Sequence, residues 1–179
     1  MAELEGYPVL YDTQVTTTGT AAAYQPGAVF VHRSGTGRSQ WALAKYVRLN
    51  NDGCSKGEAL LADVGTAVSY GVKTCSTTEG RQGGFFRGFA AATIASNAYG
   101  FMIFSGYCET VDLSHTAASG EALCLSGSTA GKVTPDGASS TMNATLGTSV
   151  FATAVSPVAI ARTAIATGTG SCQIIGVWG

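Results

Sequence analysis

The sequence predicts a mainly β protein, an antiparallel sandwich or small barrel in which residues 1–27 form an extended N-terminal arm and residues 28–179 a single β-rich domain. Three observations carry this. Ala, Gly, Ser and Thr make up about half of the chain and charged residues only 12%, a balance that starves a helical bundle of the Leu, Lys and Glu it needs. Apolar side chains recur at alternate positions in short runs, and Gly-rich turns separate the runs. A length of 179 residues suits one domain with a short extension. Jelly roll, Ig-like sandwich and small barrel share these features, so the strand order stays open.

The elements follow in chain order. After Glu5 the first 27 residues lose charge and gain Thr, with Tyr7, Pro8, Leu10, Tyr11 and Tyr24 set in a polar context. Thr16, Thr17, Thr18, Gly19 and Thr20 offer little to bury, so the segment reads as an arm reaching a neighbour or as an edge strand followed by a loop. The five apolar and aromatic residues are its candidate contacts. Ala28 to His32 is strand-like and leads into Arg33-Ser34-Gly35-Thr36-Gly37-Arg38, a hairpin turn. Trp41, Leu43, Lys45, Val47 and Leu49 stand at alternate positions of a second strand, which Asn50-Asn51-Asp52-Gly53 ends.

Gly57-Glu58-Ala59-Leu60-Leu61 then returns 63 residues later as Gly120-Glu121-Ala122-Leu123-Cys124-Leu125. Each copy follows a Ser/Gly-rich turn, so one turn-into-strand device is used twice. Phe85 to Phe89 and Tyr99 to Phe104 are the strongest core strands, joined by a turn at Ala95-Ser96-Asn97-Ala98. The run Gly88 to Cys108 is long enough to span a bilayer, but Ser96, Asn97 and Gly100 interrupt its centre, and two buried strands explain it better. Beyond Lys132 only Asp136 and Arg162 are charged, which predicts burial in the core or against other subunits. Gly137 to Gly147 reads as a loop, with strands at Ser149–Ala154, Ala159–Ala166 and Gln173–Trp178.

Several chemistries are disfavoured. A net charge of −1 lacks the basic excess that nucleic-acid binding needs. Glu3 and Glu5 occupy the place of a signal peptide's basic region, so synthesis in the cytoplasm without export is expected. Five cysteines with no C-x-x-C pair read as reduced core thiols. Gly127 to Val133 misses the phosphate-binding loop in its spacing and in the residue after Lys132, and reads as a hairpin turn. Asn50 to Gly53 lacks the acidic spacing of a calcium loop, and Asn143-Ala144-Thr145 is a sequon without an export signal. His32 reads as a strand-end residue and His115 as a turn residue, with no second ligand at zinc spacing. Asp112, Ser114 and His115 are hydrolase residue types, but members of a triad converge from separate elements. No catalytic, cofactor-binding or metal residue is expected, and no cofactor.

The C-terminal half carries a longer pattern. Tyr99-Gly100-Phe101-Met102-Ile103-Phe104-Ser105-Gly106-Tyr107 is followed by Val111-Asp112, by Gly120-Glu121-Ala122-Leu123 and by Thr129-Ala130-Gly131-Lys132-Val133. An Ala-rich strand, a Gly-rich turn and an apolar last strand, Ala159 to Trp178, complete it. The pattern resembles the small β-rich capsid decoration, or cement, proteins of tailed bacteriophages. That resemblance implies a virion structural protein that binds the outer surface of the phage head and ties capsid subunits together against internal DNA pressure. Its partners would be the major capsid protein and copies of itself, as a homotrimer, with no nucleic acid and no membrane. It would be made in the bacterial host cytoplasm and end on the capsid exterior, with Tyr7, Pro8, Leu10, Tyr11 and Tyr24 touching the capsid or an adjacent copy. Two other classes stay open: a tail or head-fibre protein contacting a host receptor and, more remotely, a β-rich hydrolase using His115 or a cysteine.

Overall fold

The computed structural model describes residues 7–34, 40–50, 53–63, 70–75, 86–126, 128–135 and 157–175. They form eleven strands and one helical turn: β1 (Val9–Tyr11), α1 (Asp12–Val15), β2 (Val29–Ser34), β3 (Gln40–Leu49), β4 (Ala59–Ala62), β5 (Gly71–Thr74), β6 (Phe86–Ala90), β7 (Tyr99–Leu113), β8 (Ala122–Leu125), β9 (Val133–Pro135), β10 (Ala159–Ala161) and β11 (Gly168–Ile174). The mainly β class therefore holds. All eleven strands join one sheet in the order β1-β2-β3-β5-β4-β6-β7-β11-β10-β8-β9, with further pairings β3–β7 and β7–β9, and the architecture of the described residues is sandwich-like.

The 15-residue β7 is the spine. Along one edge it pairs with β3 from Tyr99↔Arg48 to Gly106↔Ala42. Along the other it pairs first with β6, at Ile103↔Phe89, and then with β11, from Gly106↔Ile174 to Leu113↔Gly168. Gly106 is thus flanked by Ala42 on one side and Ile174 on the other. Its φ is +85°, and a Cβ there would lie 2.7 Å from the Trp41 carbonyl oxygen and 2.9 Å from Ala42 Cα.

The sequence repeat is a structural one. In the first unit β3 pairs parallel with β5, β5 with β4, β4 with β6, and β6 with β7. In the second, β7 pairs parallel with β9, β9 with β8, β8 with β10, and β10 with β11. The closing pairs, β3–β7 and β7–β11, also correspond. The last strand of the first unit is the first strand of the second, which is why β7 is so long.

The local devices repeat as well. Cys54 and Ile94 exchange both backbone hydrogen bonds, and so do Ala117 and Ile165. Gly57 donates to the Ala90 carbonyl as Gly120 does to Ala161, with φ of 88° and 84°. Glu58 Oε2 accepts the Ser55 backbone N–H at 2.9 Å, and Glu121 Oε2 accepts that of Ala118 at 2.7 Å. The shared tetrapeptide is therefore explained residue by residue. Gly supplies the left-handed φ, Glu satisfies a turn donor, and Leu enters the core in both copies, whereas Ala is buried only in the first, as Ala59.

Two apolar clusters result. The larger holds Phe30, Tyr46, Phe89 and Phe101 with Leu113, Leu123, Val133 and Ile174. The smaller holds Val47, Leu49, Leu60, Val72, Ile94 and Met102. β3 serves both, with Ala42, Ala44 and Tyr46 in the first and Val47 and Leu49 in the second. The alternating set anticipated for β3 is thus divided, because Trp41 and Lys45 leave the core and alanines take the inner positions, leaving room for the rings of Phe30 and Phe101, 5.5 Å apart.

Three further expectations are corrected or fall elsewhere. Residues 7–27, read as an arm or an edge strand, take the second form over their described length: β1 pairs parallel with β2, and Leu10 and Val15 enter the main core. The expected strand Ala159–Ala166 stops at Ala161, because the chain turns to bring Ile165 onto Ala117, and β11 begins at Gly168 rather than Gln173. Gly137–Gly147, Ser149–Ala154, Gly35–Arg38 and Trp178 lie outside the described residues.

Gly106→Ala should lower unfolding stability by about 2–4 kcal/mol, since a side chain meets both a left-handed backbone and the facing strand. Urea denaturation with an unchanged m-value checks this. Glu58→Ala and Glu121→Ala should cost about 1 kcal/mol each and add, since the two caps serve separate units. A double variant that loses no more than either single one would show that the caps are not independent.

Candidate functional site

β1, β2 and β3 place side chains in registered rows. Leu10, His32 and Ala42 form one row, and Tyr11, Arg33 and Trp41 the next. Registered partners share a face, so these two rows lie on opposite faces of the sheet, although Val31, registered with Val9, is buried as well. Leu10 is 3% exposed, whereas Tyr11 is 43% and Trp41 55% exposed. Val9 stands beside Tyr11 on the outer face and is also exposed, as is Tyr7 just before the strand. Isolated exposed apolar residues are ordinary, but an aromatic–guanidinium–aromatic row on a hydrogen-bonded sheet is a rigid contact surface.

Further along β3 the same outer face carries Lys45. Its Nζ lies 4.9 Å from the Phe104 ring centroid and 5.7 Å from that of Tyr70. Partial burial lowers the Lys45 pKa, and the nearby Arg87 guanidinium lowers it further. Tyr70 has a φ of +58° and an exposed ring lying against Gly27, where a Cβ would come within 2.3 Å of it. Lys45, Arg87, Tyr70, Asp63 and Met102 line a groove of about 280 Å³. The outer face therefore combines aromatic surface with cations, chemistry suited to a partner with apolar and acidic groups.

The anticipated contact residues divide. Tyr7, Pro8 and Tyr11 are exposed. Leu10 is not available for contact, because the alternation of β1 turns it into the main core. Tyr24 is partly exposed, but its ring caps an aromatic cluster, 5.0 Å from Phe30, 5.3 Å from Tyr46 and 5.7 Å from Phe101. Trp41, Arg33 and Val9 were missed. The small residues Ala42 and Ala44 between Trp41, Leu43 and Lys45 were the available signal that the inner face of β3 is the alanine face.

The residues of catalytic type do not assemble into a triad. Ser114 Oγ lies 3.0 Å from His115 Nδ1, and Thr134 Oγ1 lies 3.3 Å from the same nitrogen. Asp112, however, is engaged by Lys132 Nζ at 3.1 Å, so it does not orient the imidazole. Lys132 itself lies between β8 and β9 next to Gly131, whose φ is +73°. His32 is not a strand-end residue. It sits within β2, 6% exposed, with Nε2 at 2.9 Å from Asp12 Oδ1, a contact that fastens α1 to the sheet. Its Nδ1 is buried without a hydrogen-bond partner. A cavity of about 80 Å³ lies beside it, lined also by Lys56, Tyr107, Cys108 and Thr110.

All five cysteines are buried. Burial pushes the Cys54 thiol up to about 11, with Glu58 adding to the shift and a backbone hydrogen bond at Ile94 opposing it. Among the described residues no group of three or more His, Cys, Asp or Glu could hold a metal ion, and no helix is long and apolar enough to cross a membrane. No family model matches the chain, and no curated protein is significantly similar to it.

Leu10→Ala should cost about 2–4 kcal/mol of stability, the usual range for a buried leucine. Trp41→Ala should change stability by no more than about 0.5 kcal/mol. Denaturant midpoints for the two variants compare core and surface directly, and equal losses would contradict this division of the β1–β3 sheet.

Proposed function

We propose that the protein is a virion structural protein, a capsid decoration or cement protein that binds the outer surface of a phage head and stabilises it. The observation that carries the reading is the outward row Tyr11–Arg33–Trp41. Tyr, Trp and Arg are the side chains that most often anchor protein interfaces, and here a sheet holds them in place, so little conformational entropy is lost on docking. The sequence pattern from Tyr99 onward, which resembles phage cement proteins, supports the same role. Lys45 and Arg33 on this face fit a major capsid protein surface that offers carboxylates between apolar patches. Assembly as a homotrimer would present three such faces at once, and many modest contacts repeated over a shell add up to strong resistance to rupture.

The same face would serve a tail or head-fibre protein that meets a host receptor, and copy number separates the two. Mass spectrometry of density-purified, DNA-filled particles should find this chain near stoichiometric with the major capsid protein. A few dozen copies per particle would move it to the tail or a fibre, and absence would overturn the virion reading. In the same system, Tyr11→Ala with Trp41→Ala should weaken binding of purified protein to undecorated heads at least tenfold without changing the melting temperature. Unchanged binding would remove this face from the interface.

A further inference from the structure

Cys108 on β7 and Cys172 on β11 are registered partners in an antiparallel pairing, just past a register shift between Gly170 and Cys172. Opposed residues of such a pair have Cα atoms about 4.5 or 5.5 Å apart, and a disulfide accepts about 4.4–6.8 Å, so either kind of pair is in range. Opposed side chains also leave the sheet on the same face. Both cysteines belong to the main core cluster, at 3% and 0% exposure. A side-chain hydrogen bond with Cys108, followed by burial, raises the Cys172 pKa above its ordinary value.

The repeat shows that nothing in the architecture requires cysteine here. At the equivalent point of the first unit, Ala44 stands opposite Ile103, and both are as buried as the cysteines. The second unit has instead two thiols facing one another across the spine. Cys108 also lines the cavity next to Asp12, His32 and Lys56, which gives one of the two sulfurs a route toward solvent.

We propose that Cys108 and Cys172 form a disulfide site, reduced where the chain is synthesised and closed when the protein meets an oxidising medium. The inference stands on the pairing alone and does not rest on the virion reading. The oxidant is a small-molecule disulfide. The Cys108 thiolate attacks one of its sulfurs, breaking the reagent's S–S bond and expelling one thiolate. The Cys172 thiolate then attacks the Cys108 sulfur of the mixed disulfide and expels the second. One S–S bond forms in the protein and one is lost in the reagent. Two electrons pass to the reagent, and the two cysteine protons end on the two released thiols. Because both cysteines are buried, the reaction proceeds through local opening of β11 and is slow. The bond encloses a loop of about 64 residues and fastens the last strand of the second unit to β7.

The test uses the full-length reduced protein incubated in its folded state with hydroxyethyl disulfide. Intact mass should show the loss of two hydrogens, peptide mapping should place the linkage between Cys108 and Cys172, and the melting temperature should rise by roughly 5–15 °C. Cys108→Ala places at this position the residue that the first unit already uses, so it should fold, and it should lose both the mass change and the thermal gain. Cys124→Ala should keep both. A linkage between other cysteines or between two chains would overturn the proposal. So would a folded protein that keeps its hydrogens while the urea-unfolded chain oxidises, or a linked protein that melts no higher than the reduced one.

Discussion

The structure depends on one strand that is paired along one edge over its first half and along the other over its second, with partners on both edges where the halves meet. β7 hydrogen-bonds to β3 on one side and to β6 and then β11 on the other, and its last residue reaches β9. A strand so enclosed cannot twist freely or shift register, because any slip would turn Phe101, Ile103, Val111 and Leu113 away from the positions in which they are buried. The change of partner at Gly106 is the point where this constraint is most severe. There the chain must adopt a left-handed φ while another backbone approaches within van der Waals contact, and only glycine meets both demands.

Sharing β7 lets two copies of one five-strand unit build a single core. Each unit closes on itself through its own pairings, β3–β7 in the first and β7–β11 in the second, which avoids an open strand edge, a hazard for aggregation. Outside the two units β1 remains as a short, parallel border strand next to α1. The same economy explains the composition. Ala42 and Ala44 face Phe30, Tyr46 and Phe101 within one cluster, so small residues on the strands accommodate large rings between them. A chain rich in Ala and Gly can therefore still bury a substantial aromatic core.

The border strand links the fold to the proposed contact surface. Because β1 is held by backbone pairing, by Leu10 and Val15 in the core, and by the contact between Asp12 and His32, its outward residues are fixed in space. Tyr11 and Trp41 then form a surface whose shape does not depend on a partner being present. A protein that works by attachment benefits from this rigidity, since ordering costs on binding are small. The apparent catalytic residues illustrate the opposite case: Ser114 and His115 touch, but Lys132 draws Asp112 away, and the group becomes part of the packing between β7 and β9.

The sequence by itself determined the β class, the β2–β3 hairpin, the two aromatic strands β6 and β7, and the Gly-Glu-Ala-Leu device used twice. These are legible because alternation, turn chemistry and capping act over a few residues, and each leaves its mark in the adjoining sequence. Only the tertiary structure decided that Leu10 is core and Trp41 surface, that β7 belongs to both units, that Asp112 pairs with Lys132, and that Cys108 faces Cys172 across a strand boundary 64 residues long in sequence. Alternation states that two faces differ without stating which is inside, and a strand does not announce its partner. Both are set by long-range pairing, where burial of the aromatic core selects one register among those that the local sequence permits.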